Sequence, residues 1–597
     1  MSPATWVVDQ TDANIPLMAE TLGISQLVAS VLAKRDIRTK NTAIKYLAPD
    51  MKYLHDTKLM RDAEKAAALL QKAVQDGVPI TVYGDYDVDG VTSTAILVKL
   101  ARRLGGNVSY YIPQREEEGY GLNLSAVEKL AEAGTAFLLT CDNGIASIAE
   151  IAEAKRRGLT VVVLDHHEPG FETNADGERA DILPCADAVI DPKQAACAYP
   201  FRLLCAGGLA YKFAMLVCEC CGVPFADEAE FAVLAAIATF CDMVDLIDEN
   251  RILAKRGLQL LNSDEPLNIG LRALMRARGL EGKAVGAFDI GYIIGPCINA
   301  TGRLEHAALS VELLLTNDEQ EAVSIAEKLA ALNEERKALT TQAYESVTEM
   351  LPDEAAREKV LVLYSPDVHE SIAGIVAGRV KERTNRPVVM LTKSNDSLVK
   401  GSARSIEGYD MFEALFANRE LFVRFGGHSM AAGLTMAEEN VEALRERLNA
   451  ACVLTEADFI PVVHVDGEMT LDDATFALAQ QLQILEPFGK GSREPLFALY
   501  NVTAQPVELI GSSKSVLRFT FAADGGRKVK GICFGKAEAF MDMLSASYAP
   551  AVVESFANGT LRGLTVRLDI VCGIEINEYN GNVSVQLRIV DFRLARK

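Results

Sequence analysis

The sequence predicts an α/β protein in which a parallel sheet is followed by a long helix, a second α/β region and a C-terminal β-barrel. Three observations support this fold class. Between residues 58 and 191, short β-branched runs alternate with amphipathic stretches, as in βαβ units around a parallel sheet. The charged stretch Asn317–Leu351 has apolar residues at helical spacing. After Leu496, strand-like runs are separated by turns that contain glycine, as in a small barrel.

The strands of the predicted parallel sheet are four apolar runs: Pro79–Tyr83, Ala136–Thr140, Thr160–Leu164 and Ala188–Ile190. Helices are predicted between them at Asp62–Gln75, Val91–Leu104 and Ile145–Arg157. The stretch Leu203–Ile247 that follows is rich in apolar residues without the alternation of a strand. It is therefore predicted to be helical throughout.

The remaining elements follow from the same patterns. Asn317–Leu351 is predicted to be one helix that joins two domains, because its apolar residues lie on a polar background. The second α/β region has two predicted strands and one helix: Lys359–Tyr364, Pro387–Leu391 and Ile372–Glu382. The predicted barrel strands are Val516–Phe521, Lys528–Cys533, Leu564–Val571 and Val583–Phe592.

The composition is that of a folded chain of several domains. Of its 597 residues, 49% are hydrophobic and 24% are charged. The net charge of −22 argues at first sight against a nucleic-acid partner. Residues 501–597, however, carry 12 Lys and Arg against 9 Asp and Glu. Any nucleic-acid binding is therefore expected to be local, through arginines and the C-terminal barrel, with a modest dependence on salt.

The sequence offers no membrane or secretion signal. The longest apolar run, Phe231–Cys241, falls short of the roughly 18 residues of a membrane helix. Met1–Thr11 lacks a basic segment followed by an apolar one. Twelve cysteines without a disulfide rhythm predict reduced thiols and a cytoplasmic location. Cys218, Cys220 and Cys221 suggest zinc, but we interpret them as buried helix cysteines.

Acidic and imidazole groups follow three successive strands of the predicted sheet. They are Asp85, Asp87 and Asp89 after the first strand, Asp142 after the second, and His166 with His167 after the third. The carboxyl ends of parallel strands share one edge of the sheet, where open α/β sheets bind ligands. Carboxylates this close repel one another, and a divalent cation removes the repulsion. The mixture of carboxylate and imidazole favours Mn²⁺ or a similar metal over calcium.

Two alternatives bear on this metal site. Asp85–Gly90 has the Asp-x-Asp-x-Asp-Gly pattern of a calcium loop, but such a loop needs Glu at its twelfth position, which is Ile96. The context is also strand, turn and helix, so the calcium loop is disfavoured. Asp242 ends an apolar helix and is either a further ligand or a solvated helix end.

Arginine or serine lies near glycine in four segments: Pro113–Gly121, Asn299–Arg303, Gly401–Ser405 and Phe425–Ser429. Glycine lets the backbone approach a phosphate, arginine binds it bidentately, and serine donates a hydrogen bond. Each arginine taken alone is equally consistent with an ordinary surface residue. Together with the predicted metal site, they are expected to converge on one phosphate.

In this order, the motifs resemble those of the DHH phosphoesterases, and most closely the bacterial exonucleases specific for single-stranded DNA. The likeness covers nearly the whole chain and includes His369–Gly374 and Glu486–Gly489. It implies four parts: a DHH catalytic domain with an N-terminal segment (1–315), a linking helix (316–352), a DHHA1 α/β domain (353–455) and an OB-fold nucleic-acid-binding domain (456–597).

The resemblance also implies the roles of individual residues. Two Mn²⁺ or Mg²⁺ ions would be held by Asp87, Asp89, Asp142, His166 and Asp242. His167 would lie beside the scissile phosphate, with Asp85 and Arg303 as further catalytic residues. The substrate would be bound by Arg115, Ser402, Arg404, Gly426, Gly427 and His428, the first three forming a 5′-phosphate pocket. Many members carry His at the position of Tyr83, and Asp85 is expected to replace that ligand.

The activity implied by the resemblance is 5′→3′ exonuclease cleavage of single-stranded DNA in repair and recombination. Two-metal hydrolysis would release 5′-mononucleotides, and a helicase and a single-strand-binding protein would be partners. One alternative is a DHH phosphodiesterase for short RNA oligomers or cyclic dinucleotides, although these typically lack an OB region. The other is an inactive single-strand-binding module, which the nearly complete ligand set argues against.

Overall fold

The computed structural model describes residues 4–115, 118–173, 179–265, 268–351, 358–394, 397–511, 514–523, 526–561, 563–579 and 581–595. The chain forms two compact units. One consists of Pro49–Leu454 with Gly489–Gly491, and the other of Met1–Ala48, Thr455–Phe488 and Ser492–Lys597. Within the described ranges, no single helix is long and apolar enough to cross a membrane; one bent pair of helices between residues 15 and 34 passes on length and composition alone.

The N-terminal segment belongs to the unit that contains the barrel. Its elements are β1 (Thr5–Val8), α1 (Ile15–Leu22), α2 (Gln26–Lys34) and α3 (Lys40–Leu47). Strand β1 pairs in parallel with the distant strand Val462–Val465, and the apolar face of α2, which includes Val28 and Leu32, packs into the barrel core. The predicted domain 1–315 grouped these residues with the parallel sheet instead, because sequence proximity cannot reveal so distant a pairing.

The first unit begins with the predicted parallel sheet. Its elements are α4 (Ala63–Gln75), β2 (Ile80–Tyr83), α5 (Val88–Arg103), β3 (Val108–Tyr111), α6 (Leu124–Glu132), β4 (Phe137–Cys141), α7 (Ile148–Arg156), β5 (Thr160–Leu164), β6 (Gly170–Thr173), β7 (Arg179–Ile182) and β8 (Ala188–Ile190). The strand order is β3-β2-β4-β5-β8, all parallel. The four predicted strands are confirmed. Strand β3 was not predicted because it is only partly buried and lies at the edge.

A group of helices covers one face of this sheet. They are α8 (Ala206–Cys221), α9 (Glu228–Cys241), α10 (Asp248–Leu261), α11 (Ile269–Ala277), α12 (Ala287–Asp289), a π-helix (Ile290–Ile294), α13 (Gly295–Leu304) and α14 (Ala308–Leu315). The side chains of α5, α8 and α9 share one core with the sheet. Cys218 in α8 is buried, but Cys220 is exposed, so the interpretation of all three cysteines as buried was wrong.

The long charged segment forms α15 (Glu319–Glu349), as predicted. The predicted boundary between linking helix and next domain, at residues 352–353, lies outside the described residues. The second α/β region contains β9 (Leu361–Tyr364), α16 (Ala373–Thr384), β10 (Val388–Lys393), β11 (Leu398–Arg404), α17 (Met411–Phe416), β12 (Phe422–His428), β13 (Ala431–Ala437) and α18 (Val441–Ala451). Its sheet has the order β12-β13-β11-β10-β9, and only β9 and β10 are parallel.

The C-terminal unit is a closed barrel, as predicted. Its elements are β14 (Val462–Val465), β15 (Gly467–Glu468), α19 (Phe476–Gln483), β16 (Phe497–Ile510), β17 (Val516–Ala522), β18 (Lys528–Phe534), α20 (Ala537–Ser545), α21 (Pro550–Ala557), β19 (Leu564–Tyr579) and β20 (Asn582–Leu594). Strands β16, β17, β18, β20 and β19 pair in that order, and β19 closes the ring on β16. Five strands closed in this way form an OB-like barrel.

Candidate active site

Acidic and imidazole side chains gather at the carboxyl edge of the parallel sheet. They form three groups whose ligand atoms lie within 4.8 Å of one another: Asp85, Asp87 and Asp142; Asp89, His166 and Asp242; and Asp142, His166 and His167. Because Asp142 and His166 each belong to two groups, the three form one cluster. The structure thus places all five predicted metal ligands together with Asp85 and His167.

The first turn of α5 fixes two of these carboxylates. Asp87 caps the helix, because its Oδ1 accepts hydrogen bonds from the backbone N–H groups of Asp89 (2.9 Å) and Gly90 (3.0 Å). Asp89 accepts bonds of 2.7 Å from the backbone N–H groups of Ala206 and Gly207 at the start of α8. A carboxylate at the N-terminal ends of two helices is stabilised by both dipoles. The same contacts orient Asp89 toward the cluster.

His166 lies at the centre of the cluster. Its Nε2 is 3.1 Å from Oδ1 of Asp142 and 3.5 Å from Oδ2 of Asp89, and its Nδ1 is 3.9 Å from Oδ2 of Asp242. Asp142 reaches it from a left-handed backbone conformation (φ 61°) directly after β4. Asp242 follows the last turn of α9, which shares the core under the sheet.

The electrostatics of the cluster favour a divalent cation. Burial and the neighbouring Asp87 raise the pKa of Asp89 to about 7, and burial with Asp89 raises the pKa of Asp242 to about 8. Burial and carboxylate repulsion hold the pKa values of Asp85 and Asp142 well above their usual range.

Two further observations complete this fit. Burial lowers the pKa of His166 to about 3, which leaves the imidazole neutral and able to bind a metal. Buried Oδ1 atoms of Asp85 and Asn143 have no hydrogen-bond partner among the described residues. A cation among these oxygens removes the repulsion and satisfies such orphaned acceptors. The set of carboxylate oxygens and imidazole nitrogen fits Mn²⁺ or Mg²⁺.

His167 is held on the cleft side of the cluster. Its Nδ1 is 2.7 Å from Oδ1 of Asp165, and its Nε2 is 3.0 Å from the hydroxyl of Tyr120. Although burial lowers the pKa of His167, the Asp165 carboxylate outweighs this effect and raises the pKa to about 9. Asp165 also accepts a bond from the backbone N–H of Ile145 (2.9 Å). The imidazole is therefore fixed and carries a proton at neutral pH.

Tyr83, where a histidine was expected from the resemblance, does not point into the cluster. Its hydroxyl donates a hydrogen bond of 3.0 Å to the carbonyl of Gly121, and its ring stacks on Tyr111 with a centroid distance of 5.3 Å. Asp85 belongs to the cluster and is almost completely buried.

A cleft of about 1050 Å³ adjoins the cluster and is lined by residues from both sheets of the first unit. Four arginines line it: Arg115, Arg303 and Arg404, which come from three of the segments noted in the sequence, and Arg424. No carboxylate of a described residue lies within 4.0 Å of any of them. Burial and the nearby Arg115 lower the pKa of Arg303 to about 10, and the same two causes lower the pKa of Arg404. Unpaired cations this close favour an anionic ligand.

Local packing explains how these arginines meet. Gly302 lies against the loop after β2, since an added Cβ would be 2.6 Å from the carbonyl oxygen of Tyr86, and this contact brings Arg303 to the cleft. The Arg303 Nη1 then donates to the carbonyl of Ser371 (2.5 Å). The guanidinium of Arg115 lies 5.3 Å from the ring centroid of Tyr86.

Ser402 and Arg404 project from β11 on one face, and Nη1 of Arg404 donates to Oγ of Ser402 at 2.9 Å. The first turn of α16 approaches both, because a Cβ on Gly374 would lie 2.8 Å from Nη2 of Arg404 and 2.9 Å from Oγ of Ser402. Gly426 and His428 lie on β12 and also line the cleft. Most of the Gly401–Ser405 segment lies within strand β11, which is paired on both sides.

Four residues at this site received no role from the sequence. Asp165 and Tyr120 position His167. Gly374 lies against the side chains of Ser402 and Arg404. Arg424 lines the cleft. An acid directly after β5 was an available signal for Asp165. For Gly374 and Arg424 the sequence held no comparable signal, because their proximity depends on tertiary packing. Residues 116 and 117 of the predicted Arg115 segment lie outside the described residues.

Comparison with known proteins agrees with this geometry. Three family models match the chain: "DHH family, N-terminal domain" over residues 79–239, "DHHA1 domain" over 357–453 and "RecJ OB domain" over 465–591. The single-stranded-DNA-specific exonuclease RecJ of Bacillus subtilis (strain 168) is 34% identical over 99% of this chain and 71% of that protein. RecJ of Escherichia coli (strain K12) is 31% identical over 97% of each chain.

A solved structure extends the match to three dimensions. The crystal structure of RecJ in complex with Mn²⁺ from Thermus thermophilus has a TM-score of 0.81 to this chain and is 28% identical, covering 99% of this chain and 80% of that one. The three matched models follow the order of the parallel sheet, the second α/β region and the barrel. The chain therefore belongs to the RecJ family of single-stranded-DNA-specific exonucleases, which carry a DHH domain.

Proposed function

We propose that this protein is a single-stranded-DNA-specific exonuclease that degrades its substrate 5′→3′ and releases 5′-mononucleotides. One observation carries the proposal most directly. Arginines without carboxylate partners among the described residues line a cleft, and this cleft adjoins the buried cluster of carboxylates and imidazoles at His167. The cluster suits divalent cations, and the arginines suit a terminal phosphate. We infer the substrate, single-stranded DNA, from the names of the relatives.

The metal-binding residues are proposed to be Asp87, Asp89, Asp142, His166 and Asp242, with Asp85 of the same cluster assisting. Mn²⁺ or Mg²⁺ ions bound there supply an activated water and neutralise the charge of the leaving oxygen. The protein holds the ligands rigidly, since Asp89 and Asp87 are tied to backbone N–H groups. This rigidity limits the reorganisation needed during catalysis.

The two other catalytic residues act on the phosphate itself. His167 is protonated and held by Asp165, so its Nε2 is able to donate a hydrogen bond to an oxygen of the scissile phosphate. Arg303 is anchored on the carbonyl of Ser371 and keeps its remaining N–H groups for a phosphate. Both are positioned before the substrate binds, which reduces the entropy lost on binding.

Direction and strand specificity are proposed to come from the pocket of Arg115, Ser402 and Arg404. A terminal phosphate makes more charge-assisted hydrogen bonds there than an internal one, because it has an additional free oxygen. Gly426, Gly427 and His428 border the same space and allow close approach of the strand. We expect this cleft, which is lined from both sheets, to admit one strand and to exclude a duplex.

The barrel is proposed to bind the incoming strand. Lys528, Lys530 and Phe534 are exposed on strand β18, and this strand belongs to the face that OB-folds use for oligonucleotides. A cytoplasmic role in DNA repair and recombination follows from the substrate. There a helicase and a single-strand-binding protein are the expected partners, since they generate and cover single strands.

The test uses a 5′-phosphorylated single strand of DNA, its duplex form and short RNA oligomers with Mn²⁺. We expect mononucleotides from the single strand, released from the 5′ end, and no cleavage of blunt duplex. Cleavage of RNA dimers alone would assign the protein to the oligonucleotide phosphodiesterases. Strand binding without cleavage under every metal condition would make it an inactive binding module.

A further inference from the structure

The sheet face that forms the floor of the cleft has a regular pattern of side chains. Strands β11 and β12 both pair antiparallel with the central strand β13, so residues at one register position share a face. Three successive rows on this face are Lys400–Thr435–Arg424, Ser402–Gly433–Gly426 and Arg404–Ala431–His428. All of these except Ala431 line the cleft. Two rows that contain cations thus flank a row without large side chains.

The middle row leaves room for a ligand. A Cβ placed on Gly426 or on Gly433 would have no atom within 4 Å, so the space above both glycines is open. The outer rows are four residues apart along each strand, and each is two residues from the middle row. Two residues span about 6.8 Å along a strand, which resembles the distance between neighbouring phosphates of an extended nucleic-acid strand.

Arg424 is the cation of this face that the proposed function leaves unused. Its side chain is exposed, and no carboxylate of any described residue lies within 4.0 Å of it. Lys400 in the same row is paired with Glu370 at 3.0 Å, so Arg424 supplies most of the free positive charge there. An unpaired arginine beside an open glycine floor fits an anionic oxygen.

Arg424 also reaches the wall that carries catalytic residues. A Cβ on Gly119 would lie 3.8 Å from Nη1 of Arg424. The next residue, Tyr120, places its hydroxyl 3.0 Å from Nε2 of His167. The guanidinium of Arg424 therefore reaches across the cleft, from the sheet that bears it to the segment that borders His167.

We propose that Arg424 binds a non-bridging oxygen of the scissile phosphate, one nucleotide from the terminal phosphate held by Ser402 and Arg404. This inference rests on the proposed function, in which the 5′ phosphate occupies the Ser402 row. Nη1 of Arg404 reaches Oγ of Ser402 there at 2.9 Å, and the Arg424 row lies two residues away. No nucleotide precedes a 5′-terminal one, so the only neighbouring phosphate is the first internucleotide phosphate. Release of a mononucleotide breaks a P–O bond at that same phosphate, to which water adds as the 3′ oxygen leaves.

The test combines a neutral phosphate analogue with substitution of the arginine. A 5′-phosphorylated oligothymidylate carries one uncharged methylphosphonate at the first internucleotide position, and binding is measured in EDTA so that no cleavage occurs. We expect the wild type to bind this analogue about tenfold more weakly than the normal strand, as for loss of one charge-assisted hydrogen bond. In Arg424→Gln the normal strand itself binds about tenfold more weakly, and the methylphosphonate weakens binding by a smaller factor than in the wild type, because only His167 and Arg303 still contact that phosphate.

Matched controls make the result specific. Arg419→Gln removes another arginine of the same domain, which lies over the Phe416 ring and does not line the cleft. It should leave the methylphosphonate effect unchanged. Arg424→Lys should restore part of the affinity. The slope of log affinity against log salt should fall in magnitude by about 0.7 in Arg424→Gln, as expected for one phosphate contact of a single strand.

Two outcomes would overturn the inference. In the first, the methylphosphonate weakens binding to Arg424→Gln as strongly as binding to the wild type. In the second, Arg424→Gln reduces the effect of a methylphosphonate only when the analogue stands at a position other than the first internucleotide phosphate. Neither depends on turnover. Failure of the proposed function would instead appear as an intact 5′-phosphorylated strand after incubation of the wild type with Mn²⁺. The two failures are therefore distinguishable.

Discussion

Nδ1 of His167 lies 2.7 Å from Oδ1 of Asp165, and this ion pair favours the protonated form of the imidazole that we propose as catalytic. Asp165 raises the pKa of His167 to about 9 despite the opposing effect of burial. Below that pH, Nε2 carries a proton that it is able to donate toward the cleft. Asp165, to which the sequence analysis gave no role, thus raises the pKa of His167, which was predicted as a site residue.

Replacing this carboxylate should impair turnover more than binding. In Asp165→Asn the charge that raises the pKa of His167 is lost, so the imidazole becomes neutral near neutral pH. We expect kcat to fall by about a hundredfold to ten-thousandfold, in the range known for comparable aspartate–histidine pairs. The alkaline limb of the pH–rate profile should move from about pH 9 to lower pH.

The pH profile of kcat checks this prediction, together with an NMR titration of His167. Tyr120→Phe is the companion variant, because it removes the hydrogen bond to Nε2 and keeps the ion pair. Its pH profile should retain the alkaline limb near 9. An unshifted limb in Asp165→Asn would show that another group controls the rate.

A large part of the fold followed from the sequence because its signals are local. Strands such as Thr160–Leu164 are apolar runs between polar ends, and the long helix Glu319–Glu349 has a clear helical period. Four of the five barrel strands followed from strand-like runs and turns, but β16 (Phe497–Ile510) was not predicted. By contrast, β1 pairs with β14 across most of the chain, and no local pattern in Thr5–Val8 records that partner.

Part of the candidate site could likewise be predicted from the sequence, and part could not. Residues at the ends of parallel strands, such as Asp142 and His166, could be grouped because topology places those ends together. The opposite side of the cleft depends on antiparallel register, which sets Arg424 two rows from Arg404. Gly374 meets Arg404 only because α16 packs on β11. Such contacts arise from tertiary packing, so the sequence alone could not specify them.

The buried carboxylates proposed as metal ligands should lower the free energy of unfolding of the metal-free protein. Asp142 is buried among other carboxylates, which holds its pKa well above the usual range. Asp142→Asn removes this repulsion, and asparagine tolerates the left-handed backbone there. At pH 8.5 in EDTA we expect the free energy of unfolding to rise by about 2 kcal/mol, while exonuclease activity with Mn²⁺ falls at least a hundredfold.

Thermal unfolding in EDTA and cleavage of a labelled strand measure the two effects of Asp142→Asn. The control is Asp367→Asn, an exposed carboxyl outside the cluster, which should change neither quantity. His166→Ala should likewise lose turnover and largely retain strand binding. Full activity in either metal-ligand variant would contradict the assignment of the ligands.

Metal binding should strengthen as pH rises through the range of the cluster carboxyls. Asp89 and Asp242 have pKa values of about 7 and 8 in the folded protein, far above 3.8. Between pH 4 and 8 the metal-free native state therefore holds protons that the unfolded chain has lost, and its stability falls as pH rises. Bound metal must displace these protons. For each proton displaced, the affinity for the metal should therefore fall by about tenfold when the pH is lowered by one unit.

Calorimetric titration with Mn²⁺ in buffers of different ionisation enthalpy counts the released protons. The rise in melting temperature on adding Mn²⁺ should be larger at pH 8.5 than at pH 6. In Asp242→Asn fewer protons should be released, because one of the titrating carboxyls is absent. A Mn²⁺ affinity that is independent of pH between 6 and 8.5 would show that these carboxyls are already ionised without metal.

A single methyl group should distinguish the terminal-phosphate pocket from the rest of the domain. In Gly374→Ala the added Cβ would lie 2.8 Å from Nη2 of Arg404 and 2.9 Å from Oγ of Ser402. Both are side-chain ends that are able to move, so the fold should survive while the pocket is displaced. We expect KM for a 5′-phosphorylated strand to rise about tenfold, as for loss of one charge-assisted bond, with kcat nearly unchanged.

Gly378→Ala provides the matched control in the same helix, since a Cβ there would have no atom within 4 Å. Both substitutions stabilise the helix by about 0.5–1 kcal/mol through its propensity. Any difference between them therefore reports on the pocket. The preference for 5′-phosphate over 5′-hydroxyl ends should fall only in Gly374→Ala. Equal preferences in the two variants would mean that Ser402 and Arg404 do not bind the terminal phosphate, and that the strand is positioned by the metal cluster and Arg303.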